Sequence, residues 1–280
     1  MNNDDLKSRR NAALLEDKCF TKGRLRDEFR MKPAPDAEPV KWYKSSYGGK
    51  YGVYRIADCV PMREKRAQTE KQQQASARLA MQARLKSKRG RCAIQAHTWL
   101  SQEPLFLDTE TTGLDSAAEA LEIGLVDARG CTVYETRLKP TVSISPEAMA
   151  VHGIDEAALA GSPSWPDVAQ QLQFHIGERP LIIFNAGFDK RILKQTAAAY
   201  SDPADWLDSL TIYCAMELSA GHYGATNRYG TISLASAVNL AGLSWTGRAH
   251  SAVSDAVMTA KVVSAIAEYY TQLQCEIREL

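Results

Sequence analysis

Residues 104–110, Pro-Leu-Phe-Leu-Asp-Thr-Glu, join a short apolar run to two carboxylates. The apolar residues predict a buried strand, and Asp108 and Glu110 follow where that strand runs out. Because strand side chains repeat every second residue, both carboxylates are expected on one side of the sheet. Their repulsion is relieved by a cation, and such oxygen ligands suit Mg²⁺ or Mn²⁺. On its own, Asp-x-Glu is more often a solvated strand end.

The sequence that follows alternates strand and helix patterns. Segments 120–127 and 131–138 predict two further strands of an antiparallel meander. The wholly apolar segment 180–185 predicts a strand covered on both faces of the sheet. Helices are predicted from Ser145 towards Gly153, over 164–176, and around 188–199, 232–240 and 252–270. This order predicts an α/β domain with a mixed sheet flanked by helices.

A third carboxylate, Asp189, follows the strand that ends at Asn185. It lies in the first turn of the next predicted helix, where an acid contributes about 0.3–1 kcal/mol through the helix dipole. That structural role competes with a functional one. Ligands of open α/β sheets collect at the carboxyl ends of strands, so parallel neighbours would bring Asp189 to Asp108 and Glu110.

His250 and Asp255 flank the start of the last long predicted helix. Within one helix, a separation of five residues turns two side chains about 140° apart. The two residues can therefore share a site only if His250 lies in the preceding loop. A lone His is more often structural, and a lone Asp is often at the surface. Four acids and one imidazole, each at an element end, are less easily explained by chance.

Such a cluster can hydrolyse phosphodiesters. Two cations about 4 Å apart lower the pKa of an attacking water and stabilise the transition-state oxygens. An imidazole with a pKa near neutral can take the proton of that water.

The five candidate residues lie in three short segments. These are Asp-Thr-Glu-Thr-Thr-Gly-Leu at 108–114, Asn-Ala-Gly-Phe-Asp at 185–189 and His-Ser-Ala-Val-Ser-Asp at 250–255. Their order and spacing resemble the motifs of the DEDDh family of 3'-to-5' exonucleases. The resemblance covers about residues 104–270 and implies an RNase H-like fold. It also implies that Asp108, Glu110, Asp189 and Asp255 bind two Mg²⁺ or Mn²⁺ ions and that His250 is the general base.

The same resemblance implies a set of substrate contacts. Thr111 and Leu114 look like the family's contacts with the terminal nucleotide, and Gly113 would let the backbone approach it closely. His152 and Phe188 resemble positions that line the nucleotide pocket. A histidine at a helix C-terminus and a core phenylalanine are equally good interpretations of these two residues.

The first motif is more similar to the proofreading ε subunit of bacterial DNA polymerase III than to oligoribonuclease, which favours DNA over RNA as the nucleic-acid partner. RNA stays open, because a site that grips phosphate and base need not exclude a 2'-hydroxyl. Asp208 matches a frequent family Asp, whose role is either structural or to support the metal ligands. The leading prediction is a metal-dependent exonuclease releasing nucleoside monophosphates from single-stranded or frayed DNA 3' ends. The alternatives are RNA 3'-end trimming and a noncatalytic nucleic-acid or protein adaptor on a nuclease scaffold.

Charge is divided unevenly along the 280 residues. Residues 1–100 carry 23 Lys and Arg against 11 Asp and Glu, whereas residues 101–280 carry 11 against 22. A basic half indicates a polyanionic partner. We therefore expect three parts: 1–60, partly disordered with a β-hairpin over 40–56; 61–100, a basic helical linker or arm; and 101–280, the exonuclease domain.

The basic part is predicted to be one long helix from Met62 to about Arg91, ended by Gly90. Its ten basic side chains either follow a phosphate backbone or form a solvated linker. In the hairpin, Trp42, Tyr43 and Tyr47 either stack on bases or form a small core. Residues 1–100 could equally contact a protein partner.

Composition narrows the class of protein further. With 45% hydrophobic and 24% charged residues, the chain is neither collagen-like, coiled-coil nor wholly disordered. It has no apolar run of membrane-spanning length and no secretory-type start, which predicts a cytoplasmic protein without membrane contact. The six widely spaced cysteines predict reduced, mostly buried thiols. The oligomeric state is left open.

Overall fold

The structure is a computed structural model that describes residues 3–46, 48–63 and 69–279. The chain divides into two units, residues 1–69 and 70–280. The predicted boundaries at 60/61 and 100/101 differ from this single division.

The N-terminal unit combines two helices with short antiparallel strands. Its elements are α1 (Asn3–Leu15), β1 (Cys19–Thr21), α2 (Lys22–Phe29), β2 (Met31–Pro33), β3 (Lys41–Lys44), β4 (Lys50–Arg55) and β5 (Cys59–Pro61). Strand β4 lies between β1 and β3, and β2 pairs with β5. The predicted hairpin is β3–β4, with Gly48 and Gly49 at positive φ in its turn.

This unit has a small core of its own. Phe20, Leu25, Phe29, Tyr54 and Ile56 are buried together. The described residues of this unit form helices and strands, because these side chains bury one face of the sheet and of α2.

The hairpin aromatics lie outside this core. Trp42 and Tyr43 are exposed, so the prediction that they form a small core is wrong for both. Tyr47 lies outside the described residues.

The second unit is built on a five-stranded mixed sheet. Its elements are α3 (Glu70–Lys86), α4 (Lys88–Leu100), β6 (Leu105–Thr111), β7 (Ala120–Asp127), β8 (Thr132–Arg137), α5 (Pro146–His152), α6 (Trp165–Ile176), β9 (Leu181–Ile183), α7 (Ala186–Ala199), α8 (Trp206–Ser209), β10 (Ile212–Cys214), α9 (Ala215–Tyr223), α10 (Leu234–Leu240) and α11 (Ala252–Arg278). The strand order is β10–β9–β6–β7–β8. An antiparallel meander, β6–β7–β8, is extended by two parallel strands, β9 and β10. This is the predicted RNase H-like arrangement.

Alternation along β6 supplies a core on each face of the sheet. Phe106 packs with residues of α4, α9 and α11. Leu105 and Leu107 pack on the opposite face with residues of α6 and α7. Because side chains alternate, Asp108 and Glu110 share the face of Phe106, towards α11.

The predicted single basic helix is two helices. The Ser87 hydroxyl accepts a hydrogen bond from Gly90 N at 3.0 Å and so caps the start of α4. Gly90 does not end a helix. It lies in the first turn of α4, where a Cβ would stand 2.3 Å from the Arg84 carbonyl oxygen. Helix α4 buries Ala93 and Trp99 in the core that contains Phe106, so this part of the predicted arm belongs to the second unit.

Two of the predicted phosphate contacts have partners within the second unit. The Arg84 guanidinium donates to Glu276 at 2.8 Å, and the Arg89 guanidinium lies 4.3 Å from the ring centroid of Tyr269. Lys65 and Arg66 lie outside the described residues.

The six cysteine thiols are free, but only Cys59 is buried. Cys19, Cys131 and Cys275 are exposed, so the prediction of mostly buried thiols is wrong. Within the described ranges, none of the helices combines the length and the apolar character needed to cross a bilayer.

Candidate active site

Strand β6 carries two of the predicted site residues at its carboxyl end. Asp108 is half-buried and Glu110 is buried. Across the β6–β7 pair, Asp108 faces Gly124 and Glu110 faces Glu122. The register shifts immediately after Glu110, because Glu110 pairs with Glu122 whereas Thr111 pairs with Ala120, which leaves Leu121 as the extra residue of a bulge in β7. Such a bulge increases the local twist of the two strands where the carboxylates lie.

Asp189 reaches the same edge from the first turn of α7. Strand β9 runs parallel to β6, so the helix that follows β9 begins at the carboxyl end of β6. The backbone N and the hydroxyl of Thr109 both donate to Asp189 Oδ1, at 3.1 and 2.9 Å. Asp189 is thereby held next to Asp108, as the strand-end argument predicted.

The start of α11 lies directly against β7. A Cβ on Gly124 would stand 2.4 Å from Val253 N. Glu122 Oε1 accepts a hydrogen bond from Ala252 N at 3.0 Å. A missing side chain and a buried carboxylate together position the first turn of α11, which carries Asp255.

His250 lies in the loop before α11, as a shared site requires. Its φ of 60° places it in the left-handed region, which is rare for a residue with a Cβ and is often found at functional sites. Its backbone N donates to Asp255 Oδ1 at 3.2 Å. Glu110, His250 and Asp255 each offer a ligand atom, and these atoms lie within 4.8 Å of one another. This donor set could hold a divalent cation.

The acids of this cluster have raised pKa values, and burial is the largest cause in every case. Burial and the charge of Asp255 raise the pKa of Glu110 to about 8. Burial raises the pKa of Asp189 to about 7. The pKa of Asp108 lies well above its usual range because of burial and the charges of Asp189 and Asp255. Burial also raises the pKa of Asp255, against a hydrogen bond from His250 N that lowers it. The arrangement favours a bound cation or proton over four bare charges.

The predicted substrate contacts at Thr111, Gly113 and Leu114 follow the carboxylates along the chain. The Leu114 side chain is 78% exposed. The Thr111 hydroxyl donates to the Gly113 carbonyl oxygen at 2.8 Å, and this bond holds the loop in a turn. A Cβ on Gly113 would meet Ser145 Oγ at 3.8 Å, an ordinary contact. Packing within the protein therefore does not require a glycine here.

His152 is buried and uses both ring nitrogens inside the protein. Ile154 N donates to Nδ1 at 3.0 Å, so Nε2 carries the proton and donates to the Thr111 carbonyl oxygen at 3.1 Å. Burial lowers the pKa of the ring, which favours this neutral form. His152 thus anchors Thr111 and offers no ring nitrogen to a nucleotide.

Phe188 lies in the first turn of α7, and Asp208 lies in α8. Phe188 is half-buried against the α6–α7 core, and the Arg191 guanidinium lies 5.2 Å from its ring centroid. Asp208 is exposed and forms ion pairs with Lys190, at 3.1 Å, and with Lys194. These ion pairs join α8 to α7 at the protein surface.

Sequence reasoning missed Thr109, Glu122 and Arg248. Glu122 is a buried acid with apolar neighbours on both sides in β7, and an acid in such a run is the signal that could have identified it. Arg137 Nε lies 3.1 Å from its second oxygen. The charge of Arg248 lowers the pKa of Glu110. Arg248 also lies against Gly153, where a Cβ would be 2.4 Å from Arg248 Nη2. No periodic pattern marks Arg248, because it lies in a loop.

Several known proteins are similar to this chain in sequence. Uncharacterized protein pSLT049 of Salmonella typhimurium is 70% identical over 126 residues, which are 45% of this chain and 91% of that protein. Uncharacterized exonuclease CP81 of Escherichia phage 186 is 36% identical over 180 residues, 62% of this chain and 93% of that protein. Exodeoxyribonuclease 10 of Escherichia coli K12 is 30% identical over 115 residues, 41% of this chain and 46% of that protein.

The RNase_T model, described as an exonuclease, matches residues 105–263. That span contains the three motif segments and the whole five-stranded sheet, and the DEDDh resemblance is confirmed. The chain belongs to the RNase_T exonuclease family, and its second unit carries the exonuclease domain.

Proposed function

We propose that this exonuclease acts from the 3' end of single-stranded or frayed DNA and releases nucleoside monophosphates in a reaction that requires divalent metal ions. The observation that carries the proposal is the meeting of Asp108, Glu110, Asp189 and Asp255 at the ends of β6, α7 and α11, with every pKa raised.

These four residues would hold two Mg²⁺ or Mn²⁺ ions. Ions bound there would supply positive charge that acidifies a water and neutralises the scissile phosphate. The carboxylate oxygens fit such ions. The raised pKa values of Asp108 and Glu110 show that their negative charges are unfavourable without a neutralising cation or proton.

His250 would act as the general base. It is exposed, and its backbone is fixed by the bond to Asp255, so its ring can receive a proton at the mouth of the cluster. As the water oxygen bonds to phosphorus, the bond from phosphorus to the 3'-oxygen breaks. That oxygen takes up a proton, and a nucleoside 5'-monophosphate leaves.

The loop after Glu110 would position the terminal nucleotide. The exposed apolar side chain of Leu114 can pack against a base, which a polar side chain at that place would do less well. The bond from His152 to Thr111 holds the base of this loop. Phe188, half-buried beside Asp189, can complete the apolar wall.

DNA is the proposed substrate class for two reasons. The first motif resembles that of the proofreading ε subunit, and the chain is similar to exodeoxyribonuclease 10. Both reasons are likenesses to other proteins, and a site that grips phosphate and base need not exclude a 2'-hydroxyl. The substrate test must therefore offer both sugars.

The experiment uses matched DNA and RNA strands of one sequence, labelled at either the 3' or the 5' end, with Mg²⁺, Mn²⁺ or EDTA. We expect immediate release of a labelled mononucleotide from 3'-labelled DNA, stepwise shortening of 5'-labelled DNA, and no reaction in EDTA. Faster turnover of RNA would overturn the DNA assignment, and release beginning at the 5' label would overturn the polarity. Intact strands with either metal would favour the noncatalytic adaptor.

A further inference from the structure

The β3–β4 hairpin presents an exposed surface that alternates aromatic and basic side chains. We call it the hairpin surface, and all six of its residues are exposed: Lys41, Trp42, Tyr43, Lys44, Lys50 and Tyr51. Residues 40–56 contain four Lys or Arg and no Asp or Glu. The family match begins only at residue 105, so this surface lies outside the exonuclease domain.

Two tyrosines form a platform on one face of the hairpin. Tyr43 and Tyr51 are directly opposite across the β3–β4 pair. Their ring centroids are 5.8 Å apart with an interplanar angle of 20°, and the residues are 41% and 45% exposed. Lys41 Nζ lies 5.2 Å from the Tyr43 ring centroid. Phe20 and Tyr54 belong to the core of this unit, and the two exposed rings lie outside that core.

The hairpin also borders a cavity of about 490 Å³, and Tyr51 is among the residues that line it. Trp42, 58% exposed, and Lys50 line it together with Lys22. Lys22 Nζ lies 5.3 Å from the ring centroid of Tyr54, which also lines the cavity. A planar ring and an anion could both be accommodated there.

The hairpin lysines are also available for an anionic partner. In the described part of the N-terminal unit, the basic partners in ion pairs are Arg9, Lys18, Arg24, Arg26 and Arg55. Lys41, Lys44 and Lys50 take part in none of these pairs. Their charge is therefore not neutralised by an acid within that described part.

We propose that the hairpin surface binds single-stranded nucleic acid. Bases stack on Tyr43, Tyr51 and Trp42, and the lysines contact the phosphates, because stacking needs unpaired bases and the lysines need a polyanion. A duplex offers no free base faces to the rings. A protein partner is disfavoured because lysine is depleted in protein interfaces. This binding goes beyond the proposed hydrolysis, since it uses residues outside the exonuclease domain.

The test is fluorescence anisotropy with the full chain, EDTA and a fluorescein-labelled single-stranded oligonucleotide. Tyr43→Ala/Tyr51→Ala should weaken binding at least about 5-fold, since each stacked base contributes about 1–3 kcal/mol. Tyr43→Phe/Tyr51→Phe keeps the rings and should bind like the wild type. The matched control is Phe174→Ala, which removes a ring that is 79% exposed on α6.

A salt series tests the lysines. Replacing Lys41, Lys44 and Lys50 by Gln should reduce the slope of log K against log salt by about 2, at about 0.7 per phosphate contact on a single strand. A duplex competitor should be insensitive to the tyrosine substitutions. Folding of each variant is checked by thermal unfolding.

Two outcomes would overturn the proposal. One is equal strand affinity for wild type and Tyr43→Ala/Tyr51→Ala, and the other is an unchanged salt slope in the lysine variant. Either would leave the surface to a protein partner. Hydrolysis of the p-nitrophenyl ester of thymidine 5'-monophosphate by the wild-type chain tests the exonuclease site separately. Failure there would overturn the proposed function without touching the hairpin surface.

Discussion

Gly124 leaves the space that the backbone of Val253 occupies, since a Cβ on Gly124 would stand 2.4 Å from Val253 N. Gly124 also lies opposite Asp108 across the β6–β7 pair. Helix α11 can therefore begin beside the carboxylates of β6. The lack of a side chain on Gly124 therefore determines how closely Asp255 can approach Asp108.

Gly124→Ala should move the start of α11 away from the sheet. We expect exonuclease activity to fall about 100-fold or more, because a displacement near 1 Å can cost that much. Overpacking should also lower stability by about 1–3 kcal/mol. Initial rates and thermal unfolding measure the two effects. Gly161→Ala is the control, since a Cβ there meets nothing within 4 Å. Wild-type activity in Gly124→Ala would contradict this account of the helix position.

Asp189→Asn separates the charge of this residue from its hydrogen bonds. Asn retains an oxygen that can accept from Thr109 but lacks the negative charge. If Asp189 is a metal ligand, activity should fall more than about 100-fold, because even the loss of a ligand's partner costs 10- to 100-fold. Rates over a Mn²⁺ titration measure the effect. Asp208→Asn, which loses only exposed ion pairs, should retain activity. Full activity of Asp189→Asn would show that this residue acts only through its hydrogen bonds.

His250→Ala distinguishes a general base from a metal ligand. Loss of a base should lower kcat by about 10²- to 10⁴-fold. Mn²⁺ affinity should stay close to wild type, although the imidazole lies in the same donor group as Glu110 and Asp255. Steady-state rates and calorimetric Mn²⁺ titration give the two values. His97→Ala, on the exposed side of α4, serves as control. A drop in Mn²⁺ affinity that matches the loss of rate would make His250 a ligand instead.

Much of this site could be predicted because apolar runs stop at chemically active residues. Strand β6 ends in Asp108 and Glu110, and the apolar run of β9 ends just before Asn185, so the rule for strand ends places three acids at one edge. The position of His250 in the loop before α11 could be predicted as well. If both residues were in one helix, the helical period would turn His250 and Asp255 away from each other.

Contacts distant in sequence account for what could not be predicted. Glycine commonly ends a helix, so the sequence predicts a helix end at Gly90. In the structure, the lack of a Cβ on Gly90 instead allows α4 to pack closely against the end of α3. In the sequence Glu122 is an isolated acid, and its role depends on the hydrogen bond from Ala252 N, which is 130 residues away. Trp42 and Tyr43 have the pattern of a buried hairpin, but the core is filled by other side chains.

Stability of the metal-free protein should fall as pH rises. Glu110 and Asp189 keep their protons up to about pH 8 and about pH 7 in the folded chain. Unfolded, they lose them near pH 4, so between these values the unfolded state binds fewer protons and a rise in pH favours it.

We therefore expect the Glu110→Gln variant to be more stable than the wild type at about pH 8 and nearly equal to it at about pH 5. Thermal unfolding in EDTA measures both differences. The gain in Tm from Mn²⁺ should be larger at the higher pH, since metal and protons compete for these oxygens. Two results would contradict this account. One is a gain in Tm from Mn²⁺ that does not change with pH, and the other is a Glu110→Gln variant that is more stable than the wild type only at acidic pH.

Calorimetric titration with Mn²⁺ is the most direct measurement of whether the four carboxylates form one metal site. The wild type should bind two ions per chain at about pH 8, where fewer protons compete with the metal for the carboxylate oxygens than at lower pH. Asp108→Ala should fold, lose binding of at least one ion and lose turnover. Equal Mn²⁺ binding by the wild type and Asp108→Ala would contradict the shared site.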